Sequence, residues 1–265
     1  MKQFPLEIDI KGRYLIYRPA QSQRQGIVIA FTTRIWLHDG GPTYCNFGFY
    51  GKGGGEVHRK ELCELLGLPP RKLTTAYQTH SDNVAVVGAR DAGRGGLDPD
   101  TRIPDTDALV TSLASVPLMV FSADCVPVLL FDENKGIVGA IHAGWKGLLG
   151  RTIENTLETM HREYDAPLEE VKAVMGPSIG PCCYHVGAEL ANRLPDTDAD
   201  AVIKKGNEHY IDLRKWAEIR LTSSGLSKKN VFVVDMCTSC CKHLFYSYRA
   251  DKAHRGSNAA VVCKL

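Results

Sequence analysis

The chain has 265 residues, and its 32 basic and 30 acidic side chains give a net charge of +2. This near-balance, with no basic cluster interleaved with aromatic residues, argues against nucleic acid or a membrane surface as a general partner. Hydrophobic residues make up 44% and charged residues 23% of the chain, which is typical of a globular protein with a sizeable core.

The N-terminal segment and the cysteine content bear on the compartment. The first 25 residues contain no continuous apolar segment of the kind found in secretory signal peptides. Apolar stretches all fall short of the roughly 18 residues that a membrane-spanning helix needs. The nine cysteines are odd in number and form no regular disulfide framework, so reduced thiols are expected. We therefore expect a cytoplasmic protein.

In chain order, short apolar segments alternate with segments of helical periodicity. The segments that predict strands are 27–32, 73–77, 84–87, 118–122, 126–131, 137–142, 171–175, 231–234 and 259–262. The segments that predict helices are 57–66, 151–164 and 213–223. In the second helix one apolar face repeats at steps of four, three and four, formed by Ile153, Leu157, Met160 and Tyr164.

The segment 88–105, rich in glycine, proline and aspartate, predicts a surface loop. Together these elements predict an α+β (mixed α/β) fold with a mixed β-sheet core flanked by helices. No linker-like tract divides the sequence, so residues 1–265 are expected to form a single domain.

Three residues of metal-ligand type stand in turn-rich or glycine-rich surroundings. His80 follows a predicted strand, Cys125 lies where Asp124 interrupts two apolar segments, and His142 ends a strand before a glycine turn. Two imidazoles and one thiolate fill three corners of a tetrahedral zinc site and leave the fourth open, as in catalytic zinc sites. Taken alone, a histidine or cysteine in such a position is more often an ordinary core or surface residue than a metal ligand. Spacing therefore leaves open whether the three meet.

A series of longer motifs runs through nearly the whole chain. They are FTTR at 31–34, NFG at 46–48, QTHS at 78–81, DALVT at 107–111, ADCVPVLL at 123–130, HAGWKG at 142–147, GPSIGPCCY at 176–184 and FYSYR at 245–249. In content and order they resemble the YfiH/YlmD-like family, whose members are named polyphenol oxidases or laccases and also purine nucleoside phosphorylases and adenosine deaminases. The resemblance implies a zinc ion bound by His80, Cys125 and His142, the same three residues being catalytic. It also implies a fold similar to that of the cytotoxic-necrotising-factor deamidases.

The activity implied by this resemblance is phosphorolysis of adenosine, inosine, guanosine or methylthioadenosine, together with deamination of adenosine. Zinc activates water for attack on the purine ring. Phosphorolysis additionally needs cations for phosphate, and Arg34, Lys146 and Arg249 are the candidates, with Arg34 the first choice. Asn46 is a further candidate substrate contact. Purine nucleosides and phosphate are thus the expected partners.

Two other classes of enzyme remain open. A copper-dependent polyphenol oxidase would need many imidazoles, yet no two of the nine histidines are separated by one residue. A single copper ion would still accept the same thiolate and imidazole ligands. A metal-free hydrolase or deamidase would use Cys125 as nucleophile and His142 as base, which leaves His80 without a role.

The remaining cysteines give a weaker signal. Cys237 and Cys240 form a C-x-x-C pair, but a zinc ribbon needs a second pair at similar spacing. Cys182 and Cys183 are adjacent and have no partner at such an interval. The sequence therefore predicts no second metal site.

Overall fold

The computed structural model describes residues 2–3, 6–11, 14–19, 26–38, 41–49, 55–252 and 256–265. The strands are β1 (Lys2–Gln3), β2 (Leu6–Lys11), β3 (Tyr14–Pro19), β4 (Ile27–His38), β5 (Gly41–Tyr44), β6 (Val84–Val86), β7 (Ala108–Thr111), β8 (Leu118–Ser122), β9 (Val126–Asp132), β10 (Ile137–Ala143), β11 (Lys172–Met175), β12 (His185–Val186), β13 (Val202–Lys205), β14 (Glu208–Ile211), β15 (Val231–Val233) and β16 (Asn258–Lys264). The α-helices are α1 (Gly55–Leu65), α2 (Trp145–Leu149), α3 (Thr152–Tyr164), α4 (Ala188–Ala191), α5 (Leu213–Ser223) and α6 (Tyr248–Asp251). Short 3₁₀ helices span Pro70–Lys72, Pro99–Thr101, Asp196–Ala201 and Lys228–Asn230.

A mixed seven-stranded sheet carries the centre of the fold, in the order β1-β15-β11-β9-β10-β7-β6. Strands β9 and β10 pair antiparallel at its middle, and every residue in both is buried. Alternate side chains of β9 point to opposite faces: Val128 and Leu130 pack on the helix side, and Leu129 and Phe131 on the other. Because both faces are covered, these strands are continuous apolar runs without polar alternation.

A second sheet, ordered β2-β3-β4-β16-β8 with β5 paired to β4, packs against the first. The core between the sheets includes Phe31 of β4, Val120 of β8 and Val262 of β16. Helix α1 covers the far face of this second sheet, where Leu62 and Cys63 are fully buried. The layers thus run helix, sheet, sheet, helices, as the predicted α+β class requires.

Helices α2, α3 and α5 cover the other face of the seven-stranded sheet. The predicted apolar face of α3 is confirmed, because Ile153, Leu157 and Met160 are fully buried and Tyr164 packs beside them. Helix α5 occupies its predicted bounds; the Asp212 side chain caps its first turn. Among the described residues, every helix is too short or too polar to cross a bilayer.

Several predicted elements need correction. Residues 73–77 form isolated bridges rather than a strand, because Thr74 bridges to Gly95 and Leu118 and Ala76 bridges to Ile103, so no single strand pairs along the segment. Strand β7 and the small sheet β12-β14-β13 were not predicted; the sheet's short strands are mostly half-exposed and lack a clear apolar pattern. The predicted loop 88–105 is confirmed, with one 3₁₀ turn inside it.

Candidate metal centre

Sheet register brings two of the three predicted ligands together. Cys125 lies in the turn between β8 and β9 and directly precedes Val126, which pairs with Ala143 of β10. His142 is the residue before Ala143, so it lies beside the Cys125 turn. The sequence predicted that the apolar run is interrupted at Cys125, and this turn is the interruption.

His80 reaches the same point from a bend that precedes β6. Its backbone is left-handed, with φ of 64°, a conformation that non-glycine residues seldom adopt. Nε2 of His80 lies 3.8 Å from Sγ of Cys125, and the rings of His80 and His142 meet edge to face with centroids 4.8 Å apart. The candidate ligand atoms of the three residues all lie within 4.8 Å of one another.

Asp107 supports this cluster, although the sequence did not mark it as a site residue. It directly precedes β7, which pairs antiparallel with β10, so it faces His142. Nδ1 of His142 donates a 2.7 Å hydrogen bond to Oδ1 of Asp107, whose side chain is fully buried. A carboxylate only accepts, so Nδ1 carries the proton and Nε2 is the ligand atom. The one sequence signal that could have pointed to Asp107 was its position at the start of the DALVT motif.

The second oxygen of Asp107 holds the His80 loop. Oδ2 accepts hydrogen bonds from the backbone N–H groups of Thr79 and Ser81, at 3.0 and 2.7 Å, and from the Ser81 hydroxyl at 2.8 Å. One carboxylate therefore orients the His142 ring with one oxygen and fixes the bend that carries His80 with the other. Such outer hydrogen bonds are typical of histidine ligands to metal.

A glycine makes room for the three side chains. A Cβ atom on Gly144 would lie 2.9 Å from Sγ of Cys125 and 2.9 Å from Cδ2 of His80. Gly144 also precedes helix α2, which comes between β10 and α3. The sequence predicted α3 as the helix that follows the glycine turn; the structure shows that α2 takes this place.

The three side chains Cys125, His142 and Asp107 shift one another's pKa values. Burial opposes ionisation of Cys125, but the charge of His142 and hydrogen bonds from both histidines lower its pKa to about 6. Burial likewise opposes protonation of His142, yet the Cys125 thiolate and the Asp107 hydrogen bond raise its pKa to about 10. Burial raises the pKa of Asp107, but hydrogen bonds from His142 and Ser81 give a net decrease. The donor set thus favours a thiolate, which a metal ligand must be.

The cluster lies in the wall of a cavity of about 690 Å³. This volume is within the range of small-molecule sites. Aromatic side chains that line the cavity are those of Phe49, Tyr77, Phe121, Trp145, Tyr184 and Tyr248. Cationic side chains that line it are those of Arg102, Lys146 and Arg249.

A family model described as multi-copper polyphenol oxidoreductase laccase matches residues 54–264. The chain belongs to this family. The resemblance to YfiH and YlmD proteins read from the motifs is therefore confirmed.

Named relatives and solved structures agree with this assignment. The chain is 30% identical over 247 residues to purine nucleoside phosphorylase YlmD of Geobacillus stearothermophilus, covering 89% of this chain and 90% of that one. It is 34% identical over 197 residues to adenosine deaminase RL5 of an unknown prokaryotic organism, covering 72% and 74% of the two chains.

The crystal structure of YlmD from Geobacillus stearothermophilus matches this fold with a TM-score of 0.88 at 26% identity, covering 98% of both chains. That of the hypothetical protein YfiH from Bacillus licheniformis has the same TM-score and identity, covering 98% of this chain and 99% of that one. The predicted fold class is confirmed by these two structures.

Within this family fold, two of the predicted phosphate cations line the cavity. Lys146 is exposed in the first turn of α2, with Nζ 5.7 Å from the centroid of the Trp145 ring. Arg249 is exposed too, but its guanidinium donates to the carbonyl oxygens of Cys183 and His185, at 3.0 and 3.1 Å.

Arg34, the first choice from the sequence, has a different environment. It is 7% exposed, its guanidinium lies 4.1 Å from the ring centroids of both Tyr44 and Tyr246, and it pairs with the Asp251 carboxylate at 3.1 Å. It also donates to the carbonyl of Lys242 at 3.0 Å. Arg34 is not among the described residues that line the cavity. Its contacts hold the chain segment that forms one cavity wall.

Asn46 also acts behind the cavity surface. Its Oδ1 accepts hydrogen bonds from the N–H groups of Gly48 and Ser257, at 3.0 and 2.9 Å. Both of these partners line the cavity, whereas Asn46 is not among its described lining residues. Its position therefore favours a role in ordering the cavity rim over direct substrate contact.

Proposed function

We propose that this protein is a zinc-dependent purine nucleoside enzyme, cleaving adenosine, inosine, guanosine or methylthioadenosine with phosphate and deaminating adenosine. The observation that carries the proposal is the convergence of His80, Cys125 and His142 in the wall of the 690 Å³ cavity. The names of the relatives supply the substrate class: one is a purine nucleoside phosphorylase and another an adenosine deaminase.

Zinc would be held by Nε2 of His142, Sγ of Cys125 and a ring nitrogen of His80. When bound in such a three-residue site, zinc acts as a Lewis acid and lowers the pKa of water towards neutrality. Asp107 keeps a proton on Nδ1 of His142 and so keeps Nε2 directed at the other two ligands. Cys125 contributes a thiolate at neutral pH.

The cavity surfaces suit a purine nucleoside and phosphate. Purine rings have apolar faces that stack on aromatic side chains, and Tyr77 and Tyr248 are 44% and 60% exposed in the cavity wall. Lys146, four residues after His142, is exposed in the wall of the cavity that also holds the three candidate ligands. A preset cation of this kind stabilises phosphate and the charge that develops during its attack.

Metal analysis combined with product chromatography tests the proposal. Adenosine incubated with phosphate should give free adenine, and adenosine without phosphate should give inosine. His80→Ala and Cys125→Ala should each remove one zinc ion per chain and both activities. His209→Ala, which changes a histidine of the small sheet, should alter neither. If no free base and no inosine form with zinc-loaded wild-type protein, the proposal is wrong.

A metal-free cysteine hydrolase is the second candidate. The specific observation in its favour is that Cys125, His142 and Asp107 form a hydrogen-bonded series in space. A thiol of low pKa contacts an imidazole, which in turn donates to a buried carboxylate. His80 separates the two hypotheses. A hydrolase would retain activity in His80→Ala, whereas the zinc enzyme would lose both metal and activity.

The family description as a multi-copper oxidase is less well supported by the geometry. Among the described residues, His80 and His142 are the two histidines that share a potential metal cluster. A trinuclear copper centre uses many more imidazoles. One copper ion would fit the same three ligands, so slow phenol oxidation is expected only from copper-loaded protein.

A further inference from the structure

Four cysteines outside the candidate active site lie together in space. Cys182 and Cys183 follow β11, and Cys237 and Cys240 follow β15. Cys240 lies 58 residues after Cys182 and 57 residues after Cys183 in the chain. The Sγ atoms of all four lie within 4.8 Å of one another. Sγ of Cys240 is 3.5 Å from that of Cys182 and 3.4 Å from that of Cys183. The sequence spacing gave no second pair for Cys237 and Cys240. The fold supplies one by bringing Cys182 and Cys183 beside them.

These separations match a tetrahedral zinc ion. Zinc–sulfur bonds of about 2.3 Å place the four sulfurs of a tetrahedron about 3.8 Å apart. The observed distances of 3.4 and 3.5 Å, and the 4.8 Å upper bound, bracket this value. A disulfide requires sulfurs at about 2.05 Å and joins only two cysteines, so it would leave the other two thiols unexplained.

The backbone around the sulfurs is already fixed. Cys237 heads the C-x-x-C turn, and its Sγ accepts the N–H of Gly180 at 3.2 Å. Ser178 and Cys237 form a parallel bridge, and the Thr238 N–H donates to Ser178 O at 3.0 Å. The Cys183 N–H in turn donates to Gly180 O at 3.0 Å. N–H groups directed at sulfur and two cross-linked turns form a frame that holds ligands in place.

The neighbouring cysteine side chains shift one another's pKa values. Hydrogen bonds with Cys183, Cys182 and Cys237 raise the pKa of the Cys240 thiol above its ordinary value. Burial raises the pKa of Cys237, but N–H groups of Cys240 and Gly180 and contacts with Cys182 and Cys240 give a net decrease. The pKa values of Cys237 and Cys240 thus shift in opposite directions, whereas a divalent cation bound by the sulfurs would hold them as thiolates.

We propose that Cys182, Cys183, Cys237 and Cys240 bind a second, structural zinc ion. Four protein ligands close the coordination shell and leave no position for substrate, so this ion stabilises the structure and takes no part in chemistry. The proposal does not rest on the proposed function, because these ligands are separate from His80, Cys125 and His142.

The position of the site indicates what it stabilises. Ile179 and Tyr184, on either side of the first cysteine pair, line the cavity. In the second turn, the Thr238 hydroxyl donates to Asp124 Oδ1 at 2.6 Å, next to Cys125. A zinc ion would therefore join a loop that forms part of one cavity wall to a turn that contacts Asp124, another residue of that wall. Its removal should loosen that wall and lower the melting temperature, on the order of 5 °C.

The Cys125→Ala variant isolates the second site. Purified under reducing conditions and supplied with zinc alone, it should bind one zinc per chain, against two in the wild type. The double variant C182S/C240S should lose the same single equivalent from the wild-type count. Cys241→Ser is the matched control, since Cys241 is adjacent to the cluster but outside it, and it should retain both. Cobalt in the Cys125→Ala background should give the intense sulfur charge-transfer absorption of a tetrathiolate site.

Cys125→Ala protein that binds no zinc would overturn the proposal, as would iron in place of zinc or a disulfide between Cys182 and Cys240 in the intact mass. If C182S/C240S does not fold, alkylation of the Cys125→Ala protein decides. The four cysteines should be protected from iodoacetamide until a chelator is added, as read from peptide masses. Equal modification with and without the chelator would contradict a metal site.

Discussion

Nδ1 of His142 donates a 2.7 Å hydrogen bond to Oδ1 of Asp107, while Oδ2 of the same carboxylate holds the backbone that carries His80. Two of the three candidate ligands are thus oriented by one buried side chain. The third, Cys125, is held by the turn between β8 and β9. The site is organised by backbone register and one carboxylate.

The variant Asp107→Asn tests this arrangement. The amide oxygen can accept from His142 or from the N–H groups of Thr79 and Ser81, but the NH₂ group then faces the other donors. We expect zinc affinity at the candidate active site to fall about 10- to 100-fold, with activity falling in parallel. Equilibrium competition with a zinc chelator measures the affinity. Asp105→Asn, on the same loop and exposed, is the control, and equal loss in both variants would contradict a specific role of Asp107.

Gly144→Ala should disrupt the site without disturbing the fold. The added Cβ would stand 2.9 Å from atoms of Cys125 and His80, so these ligands must move apart. Gly187→Ala is a close control, because both glycines precede a helix with similar backbone angles and a Cβ on Gly187 meets nothing within 4 Å. We expect Gly144→Ala to lose active-site zinc and activity, with unchanged circular dichroism. Full activity in Gly144→Ala would show that the ligand positions are not tightly constrained.

Lys146 and Arg34 should respond differently to alanine substitution. Lys146→Ala should lower phosphate-dependent release of the free base on the order of a hundredfold, with little effect on deamination. Lys146→Arg should restore part of the loss, and Lys135→Ala, in the distant β9–β10 turn, should have no effect. Free base and inosine chromatographed from the same samples separate the two reactions.

Arg34→Ala leaves the Asp251 carboxylate without its buried partner and removes the packing between Tyr44 and Tyr246. We expect the free energy of unfolding to fall by about 3 kcal/mol, with both activities reduced together. Chemical denaturation measures this change. A selective loss of phosphorolysis at unchanged stability would instead support the direct phosphate contact predicted from the sequence.

The pH dependence of Cys125 alkylation tests the coupling between the ligands. With a pKa near 6 against an ordinary 9.0, the thiol of the metal-free protein remains a thiolate from neutral pH down to about 6 and is protonated below it. Reaction with iodoacetamide should therefore fall with a midpoint near pH 6, measured by peptide mass. Burial raises the pKa of Cys45 and Cys63 to about 12, so they serve as unreactive internal controls. His142→Ala should move the Cys125 midpoint upward; a wild-type midpoint near 9 would contradict the coupling.

Local sequence was sufficient for the elements whose pattern is complete within one segment. Helix α5 has a capping aspartate and a buried face, and β8 is a continuous apolar run, so both occupy the predicted bounds. Segment 73–77 was also predicted as a strand, but it lacks neighbours that pair along its length, and it forms only bridges. The composition of a segment shows that it can form a strand, whereas the neighbouring strands available for pairing decide whether it does.

The same division holds for the sites. Motifs of a few residues, with the resemblance that they carry, were enough to nominate His80, Cys125 and His142. Asp107, 35 residues before His142, became visible only when β7 was paired with β10. Likewise, the two cysteine pairs meet only because β11 and β15 are parallel neighbours whose ends lie at the same edge of the sheet. Chemical identity is written locally in the chain, but distance between remote residues is set by strand order and register, which long-range packing determines.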